Sequence, residues 1–261
     1  MNPTQHKHNA GFTLIEILVA MAVSGIVLAG IYKAYEQQLR VNNTQDQVVD
    51  MQQNVRVAML FMERDIRLAG YNPTGTANVG IDVANAESIT LSIDETGGEG
   101  DGRDNDLDGV VDETPECDGN PDGAVVYALS NDTNNNGMND ALEGINTNAC
   151  HLTRNGQRLA SNIDALNFVY LGVDDTDATC EENCRLLNPT SLQERGDIRA
   201  IQITIIARAG TTIPGFSIPY TDENTYYNQP IAGDIILPQQ NDGFRRVRLI
   251  SEVRSRNVGL I

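Results

Sequence analysis

Residues 12–32, FTLIEILVAMAVSGIVLAGIY, form an apolar run in which Glu16 is the one ionisable side chain ahead of Tyr32. As a helix, about 20 such residues cross the hydrocarbon of a bilayer. The residues before the run, MNPTQHKHNAG, are polar and mildly basic, with no apolar centre. A secretory leader carries its apolar region ahead of the cleavage point and loses it; here the order is reversed. A carboxylate near bilayer depth costs on the order of a few kcal/mol, so Glu16 calls for a partner. Ala20, Ala22, Ser24, Gly25, Ala29 and Gly30 in the same run would let helices approach closely, and they are also ordinary membrane-helix composition.

Helical periodicity continues past the run. Val48, Met51, Val55, Met59, Met62, Ile66 and Ala69 recur at spacings of three and four and form one apolar stripe. Gly70 reads as a C-terminal stop with Pro73 soon after. The pattern predicts a helix from about residue 13 to 69 within the segment 12–70. At 1.5 Å per residue it would be roughly 80 Å long, too long for one small domain to bury. Its first half is expected to meet lipid or other subunits, and its second half to carry a globular domain on the stripe.

After Pro73 the period changes. Ser88–Ile93, Ala124–Leu129, Ile163–Leu171, Ile198–Arg208 and Arg245–Arg254 read as strands, rich in Val, Ile, Thr and Tyr and bounded by turn residues. The expected fold class is α+β: a long N-terminal helix with an antiparallel β-sheet head and long acidic loops. The expected division is a leader at 1–11, the helix at 12–70 with 12–32 as its membrane or filament part, and a head at 71–261 with an acidic insertion at 94–150.

The formal net charge of −18 argues against direct binding of nucleic acid, whose phosphates would be repelled. His6 and His8 lie in the leader, which leaves His151 alone for any imidazole chemistry. No Ser-His-Asp set, phosphate-cradling glycine loop or zinc spacing is visible, and pairs such as Asp174/Asp175 and Glu181/Glu182 read as solvated faces. The chain is therefore expected not to be an enzyme. The four cysteines are Cys117, Cys150, Cys180 and Cys184. An even count in an exported chain favours disulfides. Three connectivities are open; Cys117–Cys150 with Cys180–Cys184 is preferred for its short local loop, against buried free thiols.

Two acidic stretches carry a metal pattern. Asp132, Asn134, Asn136, Gly137, Asp140 and Glu143 fit D-x-N-x-N-G-x-x-D-x-x-E, the calcium loop of an EF-hand. The Met138 carbonyl would add a ligand, Asp140 would bind directly or through water, and Glu143 through both oxygens. Asp104, Asp106, Asp108, Gly109 and Asp112 form a half-match with the Val110 carbonyl, but Pro115 stands where the bidentate Glu belongs. Asp101, Glu113 or Glu116 could complete that shell. Crowded carboxylates repel, so Ca²⁺ would give both loops a reason to fold, as a structural ion of modest affinity. The competing reading is a solvated Asn- and Asp-rich loop.

The junction Gly11-Phe12-Thr13-Leu14-Ile15-Glu16 resembles the leader of type IV prepilins. Arg64–Pro73 (RDIRLAGYNP) and Val253–Leu260 (VRSRNVGL) resemble PilW-like minor pilins. The resemblance implies cleavage between Gly11 and Phe12 by a prepilin peptidase, a membrane aspartyl enzyme, and methylation of the new Phe12 amine. It implies that Glu16 neutralises the N-terminal amine of a neighbouring subunit. The implied location is the bacterial inner membrane, single-pass with the head in the periplasm, and then a pilus or pseudopilus built with other pilins. Many major pilins carry a proline inside the apolar half. None stands here between Pro3 and Pro73, which fits a minor subunit that starts or caps a pilus. A type II secretion pseudopilin and a calcium-dependent adhesin are the alternatives.

Overall fold

The computed structural model describes residues 12–72, 79–93, 124–145, 148, 150–172, 195–209, 221–229 and 233–258, with 184–186 described as backbone alone. The chain divides into two compact units, residues 1–46 and 47–261. One helix, α1 (Leu14–Leu68), supplies residues to both.

In the first unit the apolar side chains of α1 stand in the open. The most apolar 18-residue window of the helix has a mean hydropathy of 2.5, and none of it is buried. Exposing side chains such as Leu14, Ile26 and Leu28 to water forfeits about 1.5–3 kcal/mol each. The segment therefore demands an apolar environment from outside this unit.

In the second unit, Met51, Val55, Ala58, Met59, Met62, Ile66 and Ala69 are buried, with Val48 partly so. This is the stripe expected from the spacing, with Ala58 added. Gly70 ends the helix at φ +75, where its N–H donates to the Ser92 carbonyl. A Cβ at Gly70 would press on the Asn257 backbone, so this stop suits glycine on two counts.

The strands are β1 (Ile81–Ala84), β2 (Ile89–Ser92), β3 (Ala124–Leu129), β4 (His151–Arg154), β5 (Gln157–Ser161), β6 (Ile163–Gly172), β7 (Cys184–Leu186), β8 (Ile198–Arg208), β9 (Tyr226–Tyr227), β10 (Ile235–Leu237) and β11 (Arg246–Arg254). They form a five-stranded sheet in the order β1-β2-β3-β4-β5, a four-stranded sheet in the order β11-β8-β6-β7, and a β10-β9 ribbon. Every pairing is antiparallel. The fold is thus one long N-terminal helix with antiparallel sheets, as expected. Where a single sheet was expected for the head, the described residues form two sheets and a ribbon.

The five strands expected from the sequence correspond to β2, β3, β6, β8 and β11. The others are short, and their identity comes from pairing. The β4–β5 hairpin did carry a local signal: Asn155-Gly156, both at positive φ, is a favoured two-residue hairpin turn. Asn155 Oδ1 also accepts the Val126 N–H at 2.7 Å, tying the turn to the adjacent β3.

β8 is buried on both faces. Ile201, Ile203 and Ile205 join the main core with the α1 stripe, Tyr127, Leu152 and Phe168. On the opposite face, Ile206 packs with Ala165, Ile236 and Leu237 in a smaller cluster that Met138, Leu142 and Tyr226 flank. The Asn228 carbonyl accepts bonds from Gln202 Nε2 at 2.6 Å and Thr204 Oγ1 at 3.0 Å, so the polar groups on that face are satisfied. The 130–145 loop contributes Met138 and Leu142 to this cluster.

Candidate functional site

At the start of α1, Glu16 Oε2 accepts from Thr13 N at 2.8 Å and Thr13 Oγ1 at 2.9 Å, and Glu16 N lies 3.4 Å from Thr13 Oγ1. This reciprocal arrangement is a capping box: Thr13 caps the first turn, and the glutamate three residues on bonds back to it. The T-x-x-E spacing before an apolar run signalled it, and reading Glu16 only as an inter-subunit partner missed it. A negative side chain in the first turn also suits the positive end of the helix dipole.

Phe12, Glu16, Ile17, Ala20, Met21, Ser24, Gly25 and Leu28 line one groove along the helix. The structure thus gathers Phe12, Glu16 and three of the small residues on one side. Ala22, Ala29 and Gly30 are not among the lining residues. Gly11 lies outside the described residues.

The 132–143 loop is held by its own polar side chains. Asp132 Oδ1 accepts the Asn136 N–H at 2.9 Å, and Oδ2 accepts the Gly137 N–H at 2.8 Å. Gly137 has φ +77, and a Cβ there would collide with the Leu166 carbonyl. Glu143 faces the positions expected to share an ion with it: its Oε2 accepts from Asn134 Nδ2 at 3.1 Å and its Oε1 from Asn136 Nδ2 at 2.7 Å. Asp140 is fully buried, and its carboxylate takes bonds from Thr133 N and Oγ1, at 2.8 Å for the hydroxyl. Burial pushes the Asp132 carboxyl above its ordinary value; the two N–H bonds oppose the shift, and the charges of Asp140 and Glu143 add to it. Burial likewise raises Glu87, with Asp132 contributing. Like charges therefore converge on Asp132.

The donor set is oxygen throughout, which suits a hard cation such as Ca²⁺. Among the described residues, no three His, Cys, Asp or Glu side chains gather closely enough to hold a metal by themselves. Asn134, Asn136 and the Met138 carbonyl would have to complete the shell, with the two amides turned oxygen-inward. Asp104, Asp106, Asp108, Val110 and Asp112 lie outside the described residues.

Cys150 is a free thiol with no exposed surface. Burial raises it to about 11, with the nearby carboxylates of Asp164 and Asp132 adding to the shift and bonds from Asn131 N and Ser130 opposing it. Cys117 and Cys180 lie outside the described residues, and Cys184 sits on β7.

Among the described residues two buried ionic centres brace the head, and neither was foreseen. Asp65, on α1, accepts from Tyr127 Oη at 2.6 Å, Arg154 Nε at 2.8 Å and Arg64 Nε at 3.0 Å. The side chain of Arg246, on β11, is fully buried and reaches Asp164 at 2.7 Å, Asp222 at 2.9 Å and Asp242 at 2.6 Å. Burial alone would raise the Asp242 carboxyl. The bonds from Arg246 and Phe244 N and the charges of Arg246 and Arg208 outweigh it and hold Asp242 below its ordinary value.

Residues 6–32 match the family model described as the prokaryotic N-terminal methylation motif. A search of curated proteins finds no match. Among solved structures, the chain is similar to a type IV-like pilin from Thermus thermophilus, at 15% identity and a TM-score of 0.41, over 79% of this chain and 97% of that one. A likeness of that size assigns no role to individual residues.

Proposed function

We propose that the chain is a type IV pilin-like subunit, anchored in the bacterial inner membrane by α1 with its head in the periplasm, and then assembled with other pilins into a pilus or pseudopilus. The observation that carries this reading is the methylation motif over residues 6–32, leading into an apolar helix with none of its most apolar window buried. The physical logic is a pairing of charges. Cleavage by a prepilin peptidase between Gly11 and Phe12 frees a positive amine at the head of an apolar rod. Glu16 supplies the matching negative group in the same groove. A desolvated pair of this kind contributes register more than net stability. A glutamate already oriented by Thr13 offers a fixed target to the amine of a neighbouring subunit.

Within that class we assign a PilW-like minor role, starting or capping a filament. The absence of proline between Pro3 and Pro73 and the stretches at Arg64–Pro73 and Val253–Leu260 support it. A structural Ca²⁺ in the 132–143 loop would be held by Asp132, Asn134, Asn136, the Met138 carbonyl, Asp140 (directly or through water) and Glu143, and would cancel the repulsion around Asp132. The function is mechanical, with no catalytic step assigned.

Mass spectrometry of the mature protein tests the reading: the N-terminal peptide is expected to begin with N-methylphenylalanine from Phe12. A mature chain that keeps Met1 overturns it. Glu16→Val is expected to leave the protein in the membrane while excluding it from fibres.

A further inference from the structure

We propose that Tyr32, Lys33 and Tyr35 form an interfacial collar that sets how deep α1 sits in the bilayer, with phospholipid headgroups as the ligand of Lys33. The inference rests on the anchored reading above and adds a depth to it. From Phe12 to Tyr32 the helix rises about 30 Å, close to the thickness of the hydrocarbon core. The chemistry changes at that point. Tyr32 and Tyr35 are the first aromatic residues after Phe12, and Lys33 is the first ionisable group after Glu16 apart from Tyr32 itself. The tyrosines are 62% and 60% exposed, so the chain itself does not cover them.

Three residues on a helix turn through about 300°, so the two rings project on one side, within about 60° of each other. Rings with an apolar body and a polar tip settle at headgroup level. Lys33 can lay its aliphatic stem along the hydrocarbon and raise its ammonium to the phosphates. It is the only lysine besides Lys7; the other residues charged positively at neutral pH are arginines. A compact, strongly hydrated ammonium on a flexible stem suits the wet edge of a bilayer. Beyond it come Glu36 and Arg40, which lie outside the hydrocarbon in this register.

The chain contains no tryptophan, so one introduced indole reports a single position. The full-length chain carrying Tyr35→Trp, and separately Val23→Trp, would be reconstituted at low density in phosphatidylcholine–phosphatidylglycerol vesicles with bromine placed high or low on the acyl chains. The collar predicts that Val23→Trp is quenched most by deep bromine. Tyr35→Trp should emit to the blue of its value in water and be quenched by shallow bromine more than by deep. Adding Lys33→Glu should move the Tyr35→Trp emission toward the aqueous value. Aqueous, unquenched emission from Tyr35→Trp while Val23→Trp is quenched would overturn the collar and leave the anchor standing. Quenching at neither position would overturn the anchor itself. Blue-shifted emission that neither bromolipid quenches would place Tyr35 against a second copy of the chain and also overturn the collar. An emission unmoved by Lys33→Glu would refute the role given to Lys33.

Discussion

Arg246→Met is expected to be among the most damaging single substitutions in the head. The arginine's side chain has no exposed surface and is the shared partner of Asp164 and Asp222, both fully buried, and of Asp242, partly exposed. Methionine keeps much of the volume and removes the charge. Asp164 would then retain Arg208 at 3.5 Å, and Asp222 would retain Asn224 and Tyr226. Removing one partner of a buried ion pair costs about 3–5 kcal/mol, because the remaining charge is stranded in low dielectric. For a unit of this size each kcal/mol shifts Tm by about 2–4 °C, so a fall on the order of 6–20 °C is expected. Urea and thermal unfolding of residues 40–261, which retain the second unit whole, would measure it. Arg246→Lys should recover only part of the loss, since a point charge cannot serve three carboxylates as the guanidinium fork does. Combining Arg246→Met with Asp164→Asn and Asp222→Asn should recover most of it, because the centre is then replaced and not broken. An Arg246→Met variant within about 0.5 kcal/mol of the parent would refute the reasoning, as that is the range of inert surface changes.

The Asp132 carboxyl is raised, so the stability linked to its protonated form is full below the unfolded value of 3.8 and is lost as pH rises through the folded value. In chelator at neutral pH, Asp132→Asn relieves the repulsion but keeps one acceptor oxygen for two loop N–H groups, so its Tm should lie close to the parent's, whereas the rise in Tm that millimolar Ca²⁺ gives the parent should vanish; a parent with no such rise removes the calcium proposal. Gly137→Ala should destabilise the head by at least about 1–2 kcal/mol, because a side chain at positive φ is strained and the Leu166 carbonyl must move; an unchanged urea midpoint would contradict this. Cys150, held protonated and covered, should resist iodoacetamide in the native protein at pH 8 and react on unfolding without reductant. Peptide mapping that finds it protected after unfolding would restore the bridge to Cys117.

Legibility followed locality. The stripe from Val48 to Ala69 could be read because its period is that of the element it builds. The sharp turn at Gly137 could be read because a turn's geometry is set by residues within a few positions of it. Strands such as β1, β9 and β10 could not be read, since two to four residues carry too short a pattern to distinguish from a turn. The packing of the Met138 and Leu142 side chains could not be read either. Their role depends on Ile236 and Leu237, about a hundred residues later in the chain.

From its sequence alone the chain was bound to have an apolar N-terminal helix, a single acid near its start and a packing stripe on its later turns. Each follows from neighbours within a few residues, where backbone geometry alone places side chains on a common face. Which strands pair, which face of β8 meets α1, and that Arg246 holds Asp164 across 82 positions and Asp222 across 24 were decided only by the folded head. Such contacts exist only once distant surfaces are pressed together, when burial makes an unpaired charge costly enough to select its partner.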